Sequence, residues 1–199
     1  MPSVYALKSA FQKLLSPAAS GLNTLGVTAN EVTLAAAITS IAYGAAIGFY
    51  PQVQALWFGL PAFLFVRMAL NALDGMLARD YGQASKKGAF LNELGDIVSD
   101  AALILGFWGL GAGLAAAVFA LTAALSEVAG LGAQAICGVR RYDGPFGKSD
   151  RAVVLGVIGC LVGLDLLGPM LLCGLLWLCA AGALFTCWQR IAAALREDA

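Results

Sequence analysis

Histidine is absent from this 199-residue chain, and charged residues are scarce. Without His, the chain has no Ser-His-Asp hydrolase triad, no His-ligated haem and few ways to build a zinc hydrolase site. Only 12% of the residues are charged and 60% are hydrophobic, which is too little charge to cover a water-soluble domain. Acidic and basic residues number 12 each, so the net charge is zero and gives no electrostatic basis for binding nucleic acid. The composition therefore predicts an integral membrane protein.

Cysteine is present but shows no pattern of disulfide or metal chemistry. The five cysteines are odd in number, form no CxxC pair and mostly lie inside apolar runs. We interpret them as packing residues.

Apolar runs long enough to cross a bilayer recur along the chain. A span needs about 20 residues. Six runs approach or exceed that length: 30–50, 53–78, 88–111, 113–138, 150–166 and 168–189. Eleven of the 12 Lys and Arg residues fall on one side of this arrangement, and the twelfth, Arg67, lies inside the second run. Because basic loops stay in the cytosol, the pattern predicts an all-α fold of six transmembrane helices with both termini cytosolic.

The chain before the first span has a different, amphipathic character. Residues 1–20 are expected to form an interfacial helix on the membrane surface, and residues 21–199 a single transmembrane domain. The apolar side chains that share one helical face are Val4, Leu7, Phe11 and Leu14. A cleaved signal peptide is the alternative, but Lys8 and Lys13 make this segment too polar for one.

Acidic residues are concentrated in one part of this apolar chain. Five of the 12 acids lie between positions 71 and 100: Asp74, Asp80, Glu93, Asp96 and Asp100. Carboxylates inside membrane segments are costly, and they indicate a functional site unless they only join helices by hydrogen bonds. Asn71 and Asp74 are three residues apart, and Asn92, Asp96 and Asp100 follow at intervals of four, so each set shares a helical face. Two such helices facing each other would present oxygen ligands suited to Mg²⁺ or Mn²⁺.

Small residues and two arginines accompany these acids. Gly75 and Ala78 lack the bulk that would keep a ligand from the helix backbone, and the guanidinium of Arg79 can bind phosphate. Arg67, one turn before Asn71, could neutralise an acidic neighbour or bind anionic lipid. The segment therefore predicts a pocket for phosphate and metal, open to the cytosol.

The order of these residues resembles a known signature. Asn71-x2-Asp74-Gly75-x2-Ala78-Arg79-x8-Gly88-x3-Asn92-x3-Asp96 resembles the pattern D-x2-D-G-x2-A-R-x8-G-x3-D-x3-D of the CDP-alcohol phosphotransferases, with every spacing preserved. Six of the eight fixed residues are identical. The segment Thr28-Ala29-Asn30-Glu31-Val32-Thr33 is similar to the T-P-N-x-L-T of that family. The six-helix layout and amphipathic first helix are similar too, so the resemblance covers essentially the whole chain.

The resemblance implies a reaction and a set of roles. A CDP-linked lipid or alcohol, with CDP-diacylglycerol expected, would donate its phosphoalcohol unit to the hydroxyl of a small alcohol or lipid, releasing CMP. The implied ligands of Mg²⁺ or Mn²⁺ are Asn71, Asp74, Asn92 and Asp96. The implied CDP contacts are Asp74, Gly75, Ala78 and Arg79, with Asn30 and Thr33 as further candidates. Asp96 is also the implied general base, and a homodimer in a membrane such as the bacterial inner membrane is expected.

Two departures from the signature bear on this expectation. Asn71 and Asn92 stand where the family has aspartates, which leaves the site two negative charges short. Asn can coordinate through its carbonyl oxygen but binds a divalent cation more weakly than a carboxylate does. Either one metal is lost, or Glu93 or Asp100 supplies the missing charge. Asp96-x3-Asp100 repeats the D-x3-D spacing, but Gly88 fixes the unshifted alignment, which we prefer.

Alternative functions follow from these departures and from the membrane setting. One is a catalytically silent relative that binds CDP-lipid or a partner subunit. Another is an ion or solute transporter, although the exterior halves of the spans are almost purely apolar.

Polar residues in and beside the later spans extend the candidate site. Lys148 and Arg151, in the basic loop before the fifth span, would contact donor or acceptor phosphate or serve as ordinary positive-inside anchors. Glu127 and Gln134 share a face of the fourth span and either touch the acceptor or join helices.

Overall fold

The computed structural model describes residues 4–197, with side chains from residue 11 to residue 196. Seven α-helices and one short 3₁₀ helix, and no β-strand, make up the regular structure of these residues. The α-helices are α1 Val4–Thr24, α2 Ala29–Phe49, α3 Gln54–Asp80, α4 Lys86–Leu105, α5 Gly113–Cys137, α6 Lys148–Gly163 and α7 Pro169–Glu197. The all-α prediction is confirmed, and each of α2 to α7 coincides with a predicted span.

The helix ends differ most from the predicted spans at two places. The third span was expected to continue to residue 111, but α4 ends at Leu105 and the chain continues as the 3₁₀ helix Gly106–Leu110. Gly111, with a positive φ of 79°, ends this element, as glycine commonly does after a helix. The last helix extends eight residues beyond the predicted end at 189, to Glu197.

Four of the helices are long and apolar enough to cross a membrane: α2, α3, α5 and α7. Of the other two predicted spans, α6 has only 16 residues, and α4 carries two lysines and three acids within 20 residues. The count of six spans and the cytosolic termini stay predictions.

Two compact units divide the chain. Unit 1 comprises Met1–Thr39 and Phe65–Asp96, and unit 2 comprises Ser40–Leu64 and Ile97–Ala199. The helices α2, α3 and α4 each contribute residues to both units.

The core of unit 1 is small and is built by α1, α2 and α3. Its buried residues are Ala19, Ala29, Val32, Leu73, Met76 and Leu77. Leu15 and Leu22 of α1 pack against this core, whereas Leu14 is 74% exposed. Leu15 and Leu22 are therefore the α1 residues that turn to this core, and the exposed Leu14 belongs to the face predicted to lie on the membrane. The side chains of Val4, Leu7 and Lys8 lie outside the described residues, and the interfacial location of α1 stays a prediction.

The core of unit 2 is larger and contains the most deeply buried aromatic rings. Trp57 and Phe107 pack with ring centroids 5.0 Å apart, and Phe119 is fully buried beside the same core. Helix α5 packs along α7. Gly44 of α2 lies so close to Ala102 of α4 that a Cβ would overlap the Ala102 carbonyl oxygen, which explains why glycine is required there. None of the five cysteines, all of which are described, forms a disulfide.

Candidate active site

Four polar positions of the signature segment come together in unit 1. Asn71 and Asp74 lie on α3, and Asn92 and Asp96 lie on α4. The Asn71 amide Nδ2 donates to Asp96 Oδ1 at 3.0 Å, and the Asn92 amide Nδ2 donates to Asp74 Oδ2 at 3.1 Å. The two helices are thus joined by two amide–carboxylate hydrogen bonds, one helical turn apart on each helix.

The carboxylate of Asp74 is the most buried group of this cluster. Asp74 is only 3% exposed, and Thr33 of α2 donates its hydroxyl to Oδ2 at 2.7 Å. The other oxygen, Oδ1, is buried and accepts no hydrogen bond. A buried carboxylate oxygen without a donor is costly, and such an oxygen is the kind of group that a bound cation satisfies.

A buried arginine faces the second carboxylate. Arg67 is 3% exposed and donates from Nη2 to the main-chain oxygen of Asp96 at 3.3 Å. The same nitrogen lies 3.7 Å from Asp96 Oδ1. Of the two roles suggested for Arg67, the structure shows the neutralisation of an acidic neighbour. The side chain of Asp96 is 21% exposed, so this carboxylate is more open than that of Asp74.

The donor set fits a hard divalent cation. Two carboxylates and the carbonyl oxygens of two amides are oxygen ligands of the kind that Mg²⁺ and Mn²⁺ prefer. No group of three or more His, Cys, Asp or Glu side chains arranged to hold a metal occurs among the described residues. A metal held by this cluster would combine the two aspartates with the neutral amide oxygens of Asn71 and Asn92.

The proposed nucleotide-contact residues of α3 differ in their surroundings. No atom lies within 4 Å of the position that a Cβ on Gly75 would take, so the helix backbone is open there. Ala78 packs against the unit 1 core. Arg79 is exposed, and its Nε donates to Asp80 Oδ1 at 3.1 Å. Among the described residues, Arg79 thus pairs only with a solvent-exposed neighbour.

The amino-terminal end of α2 is fixed by two sets of hydrogen bonds. Thr28 and Glu31 form a reciprocal capping box, in which the Glu31 carboxylate accepts from the Thr28 backbone and hydroxyl at 2.8 Å each. Gln83, in the turn between α3 and α4, accepts from the Ala29 backbone N–H at 2.7 Å and donates to Asn23 Oδ1 at 3.1 Å. Sequence reasoning missed Gln83, because a lone loop amide carries no periodic signal.

Gly88 of the signature packs directly against Asn30 of the Thr28–Thr33 segment. A Cβ on Gly88 would lie 2.7 Å from Asn30 Oδ1, so glycine lets the first turn of α4 approach the first turn of α2. This contact also places Asn30 beside α4. Thr33, proposed as a nucleotide contact, is buried and holds Asp74. Glu93 follows Asn92 and is half-buried.

Asp100 and Arg151 belong to a second cluster, in unit 2. Arg151 is 1% exposed and donates to Asp100 Oδ2 from Nε at 3.1 Å and from Nη2 at 2.8 Å. The same Nη2 donates to Glu127 Oε1 at 2.8 Å. Arg190 approaches the other Glu127 oxygen at 3.4 Å and donates to the main-chain oxygen of Ser126. Asp100, a candidate for the missing charge, is thus paired with Arg151. Of the two roles suggested for Glu127, the structure shows that it joins helices.

The loop before α6 packs onto α7 within the same unit. The Phe146 backbone N–H donates to the Thr186 hydroxyl at 3.1 Å, and Arg141 donates to the Ala193 carbonyl at 3.1 Å. Lys148 is half-buried in the first turn of α6. Sequence reasoning counted Arg190 only as a cytosolic anchor and did not pair it with Glu127, because the two residues lie far apart in the sequence.

Comparison with known proteins gives the same family for most of the chain. Residues 26–195 match the model of the CDP-alcohol phosphatidyltransferase family. The chain is 47% identical over 164 residues to the Escherichia coli inner membrane protein YnbA, covering 81% of each protein. It is 33% identical over 208 residues to the phosphatidylinositol phosphate synthase of Streptomyces avermitilis, covering 95% of this chain and 81% of the relative.

Solved structures of one protein have a similar fold. The Mycobacterium tuberculosis phosphatidylinositol phosphate synthase with CDP-DAG bound superposes with a TM-score of 0.75 at 22% identity, covering 92% of this chain and 94% of that one. The same synthase in complex with manganese and citrate gives a TM-score of 0.74 at 23% identity, covering 90% and 88%.

Proposed function

The chain belongs to the CDP-alcohol phosphatidyltransferase family, and from that premise we propose that it transfers the phosphatidyl group of CDP-diacylglycerol to an acceptor hydroxyl. The observation that carries this proposal is the unit 1 cluster, where Asp74 and Asp96 meet on facing helices and Asp74 Oδ1 is left without a hydrogen bond. The donor is inferred from the family and from the fold neighbour named as binding CDP-DAG. The acceptor is a small alcohol, a phospho-alcohol or a lipid.

The reaction exchanges one phosphorus–oxygen bond for another. The acceptor hydroxyl oxygen attacks the phosphorus that carries the diacylglycerol, the bond from that phosphorus to the CMP oxygen breaks, and CMP leaves. The hydroxyl proton passes to the carboxylate of Asp96, which we assign as general base. Asp96 suits this role because it is the more exposed carboxylate of the cluster and is oriented by Asn71 and Arg67.

Mg²⁺ or Mn²⁺ supplies positive charge to the diphosphate when it is bound. Asp74 and Asp96, with the amide oxygens of Asn71 and Asn92, are the residues that would hold it. Thr33 fixes the Asp74 carboxylate through its 2.7 Å hydrogen bond, so we assign it as a positioning residue for that ligand.

The nucleotide would lie along the open backbone of α3. Gly75 and Ala78 present little bulk, and Arg79 is held only by an exposed pair with Asp80, which is a weak interaction in water. A phosphate group can therefore recruit the Arg79 guanidinium at little cost. Asn30, at the start of α2, is a further candidate contact.

We place the protein in a bacterial inner membrane with this site on the cytosolic side. The supports are the four apolar helices, the excess of basic residues on one side of the predicted spans, and the relative named as an inner membrane protein. A homodimer is part of the same proposal, as the family resemblance implies. Lys148 remains a proposed phosphate contact at the start of α6.

One observation favours a second candidate function. Each Asn of the cluster donates to an aspartate oxygen on the opposite helix. A chain in which amides hold these carboxylates can bind CDP-lipid or a partner subunit without catalysing the transfer. The CMP-release assay described next separates this silent relative from the transferase.

The deciding experiment measures CMP release from CDP-diacylglycerol by purified protein in nanodiscs. Mg²⁺ or Mn²⁺ is added with a panel of acceptors that includes inositol phosphate, glycerol 3-phosphate, inositol and serine. We expect metal-dependent release with one acceptor, reduced at least about 100-fold in Asp74→Asn and in Asp96→Asn.

The matched control is Asp165→Asn. Asp165 lies in the loop between α6 and α7 with a positive φ of 56°, a conformation that Asn tolerates. This variant should release CMP at the wild-type rate. Binding of CDP-diacylglycerol with no CMP release across the whole panel would instead establish the silent relative.

A further inference from the structure

The two asparagines change what the cluster needs in order to be stable. In the aligned signature, positions 71 and 92 carry carboxylates. Here the Asn71 amide lies 3.0 Å from an Asp96 oxygen, and the Asn92 amide lies 3.1 Å from an Asp74 oxygen. Carboxylates at both positions would place oxygens of like charge at hydrogen-bond distance, which is unfavourable unless cations lie between them. Because each amide donates a hydrogen to the facing carboxylate, neither contact requires a cation between the two side chains.

The side of the cluster near Asp96 already contains a positive charge. The Arg67 guanidinium is buried, lies 3.7 Å from Asp96 Oδ1 and binds the Asp96 main chain. A guanidinium is always charged and cannot move away as an ion can. It therefore provides permanently, beside Asp96, the charge compensation that an ion would otherwise bring.

The side near Asp74 has no such compensation in the described structure. Thr33 and Asn92 both donate to Asp74 Oδ2, and Oδ1 is left buried with no donor. Among the described side chains, this is the one buried oxygen that accepts no hydrogen bond. The negative charge of Asp74 and this open oxygen together fit one hard cation.

We propose that the site binds a single divalent cation, anchored by Asp74, and that Arg67 takes the place of a second ion beside Asp96. This inference rests on the metal site of the proposed function. It does not depend on the transfer reaction itself, because the number of bound ions can be measured without substrate. Of the two explanations left open by the asparagines, it selects the loss of one metal.

The test counts Mn²⁺ bound per chain by equilibrium dialysis of the whole protein in a nonionic detergent, with electron paramagnetic resonance of the bound ion. We expect one Mn²⁺ per wild-type chain, with the spectrum of an isolated ion. Asp74→Asn should weaken this binding at least about 10-fold. Asp165→Asn, the same chemical change in an unrelated loop, should retain one ion at wild-type affinity.

The converse variant restores the carboxylates. Asn71→Asp combined with Asn92→Asp should raise the count to two Mn²⁺ per chain, with the broadened spectrum of two coupled ions about 4 Å apart. If this variant does not fold, the wild-type count still decides the question. Two coupled ions in the wild-type protein, no bound ion, or an unchanged affinity in Asp74→Asn would each overturn the proposal.

The metal count and the CMP assay can fail separately. One bound Mn²⁺ without CMP release would support the single-ion site and reject the transferase. CMP release with two bound ions would support the transferase and reject the single-ion site.

Discussion

Two buried polar clusters lie in the two units of this chain, and they differ in how completely their charges are paired. In unit 2, the carboxylates of Asp100 and Glu127 face the guanidinium groups of Arg151 and Arg190, so the charges of these four residues cancel. In unit 1, one guanidinium lies beside Asp96, none is paired with Asp74 among the described residues, and an Asp74 oxygen accepts no hydrogen bond. The first cluster pairs its charges with its own side chains, whereas the second leaves a buried carboxylate oxygen without a donor.

This difference separates two reasons for burying a carboxylate. A buried ion pair that is fully hydrogen-bonded repays part of its desolvation cost and fixes how helices meet. A buried carboxylate that keeps an unpaired oxygen lowers stability until a ligand binds. The presence of acids inside apolar helices therefore does not by itself distinguish a structural cluster from a candidate binding site. An incompletely paired carboxylate favours the binding site.

Removing the central cation of unit 2 should give the largest change in stability. Arg151→Met removes the buried guanidinium that pairs with Asp100 and Glu127. Removing one partner of a buried ion pair lowers the free energy of unfolding by about 3–5 kcal/mol. The free energy of unfolding, measured by adding SDS to protein in dodecyl-maltoside micelles, should fall by that amount.

The control for this prediction is Arg196→Met. Arg196 is exposed in the last turn of α7, so its replacement should change the free energy of unfolding by less than about 0.5 kcal/mol. Equal losses in the two variants would show that the Arg151 cluster does not stabilise the fold through its pairing.

The unit 1 cluster should respond more weakly to the loss of a single donor. Thr33→Val removes the hydroxyl that donates to Asp74 Oδ2 but leaves the Asn92 amide on the same oxygen. A hydrogen bond to a charged group contributes about 2 kcal/mol, and we expect the free energy of unfolding to fall by about that much. The same SDS titration measures it.

Thr39→Val supplies the matched comparison on the same helix. The Thr39 hydroxyl is exposed and donates only to carbonyl oxygens of α2 itself. Its replacement should cost less than about 0.5 kcal/mol. A Thr33→Val loss no larger than the Thr39→Val loss would mean that the hydroxyl does not support Asp74.

Most of the helical architecture could be predicted from the sequence, because long apolar runs separated by Gly and Pro leave few alternatives. The α1 residues that pack on the unit 1 core, Leu15 and Leu22, were not identified, because the amphipathic pattern indicated only the face expected to lie on the membrane. The end of α4 was also missed, since apolar composition does not distinguish the last α-helical turns from the following 3₁₀ turn.

The cluster of Asn71, Asp74, Asn92 and Asp96 could be predicted because its partners are close in sequence. A short turn joins their two helices, and spacings of three and four residues define the facing sides. The partner of Asp100 could not be predicted in this way. Arg151 lies 51 residues further along the chain, and its pairing depends on how α4 and α6 pack, which helical periodicity does not encode.

The smallest effect is expected for an acid of the same signature segment that is not buried. Asp80 follows Arg79 at the end of α3, and both side chains of their 3.1 Å pair are about half exposed or more. Water screens such a pair, so Asp80→Asn should change the free energy of unfolding by no more than about 0.5 kcal/mol and CMP release by no more than about twofold. The SDS titration and the CMP assay, with Asp74→Asn run in parallel, measure both quantities. A loss of CMP release in Asp80→Asn as large as that in Asp74→Asn would show that position in the signature segment, rather than unpaired burial, decides which acids serve the reaction.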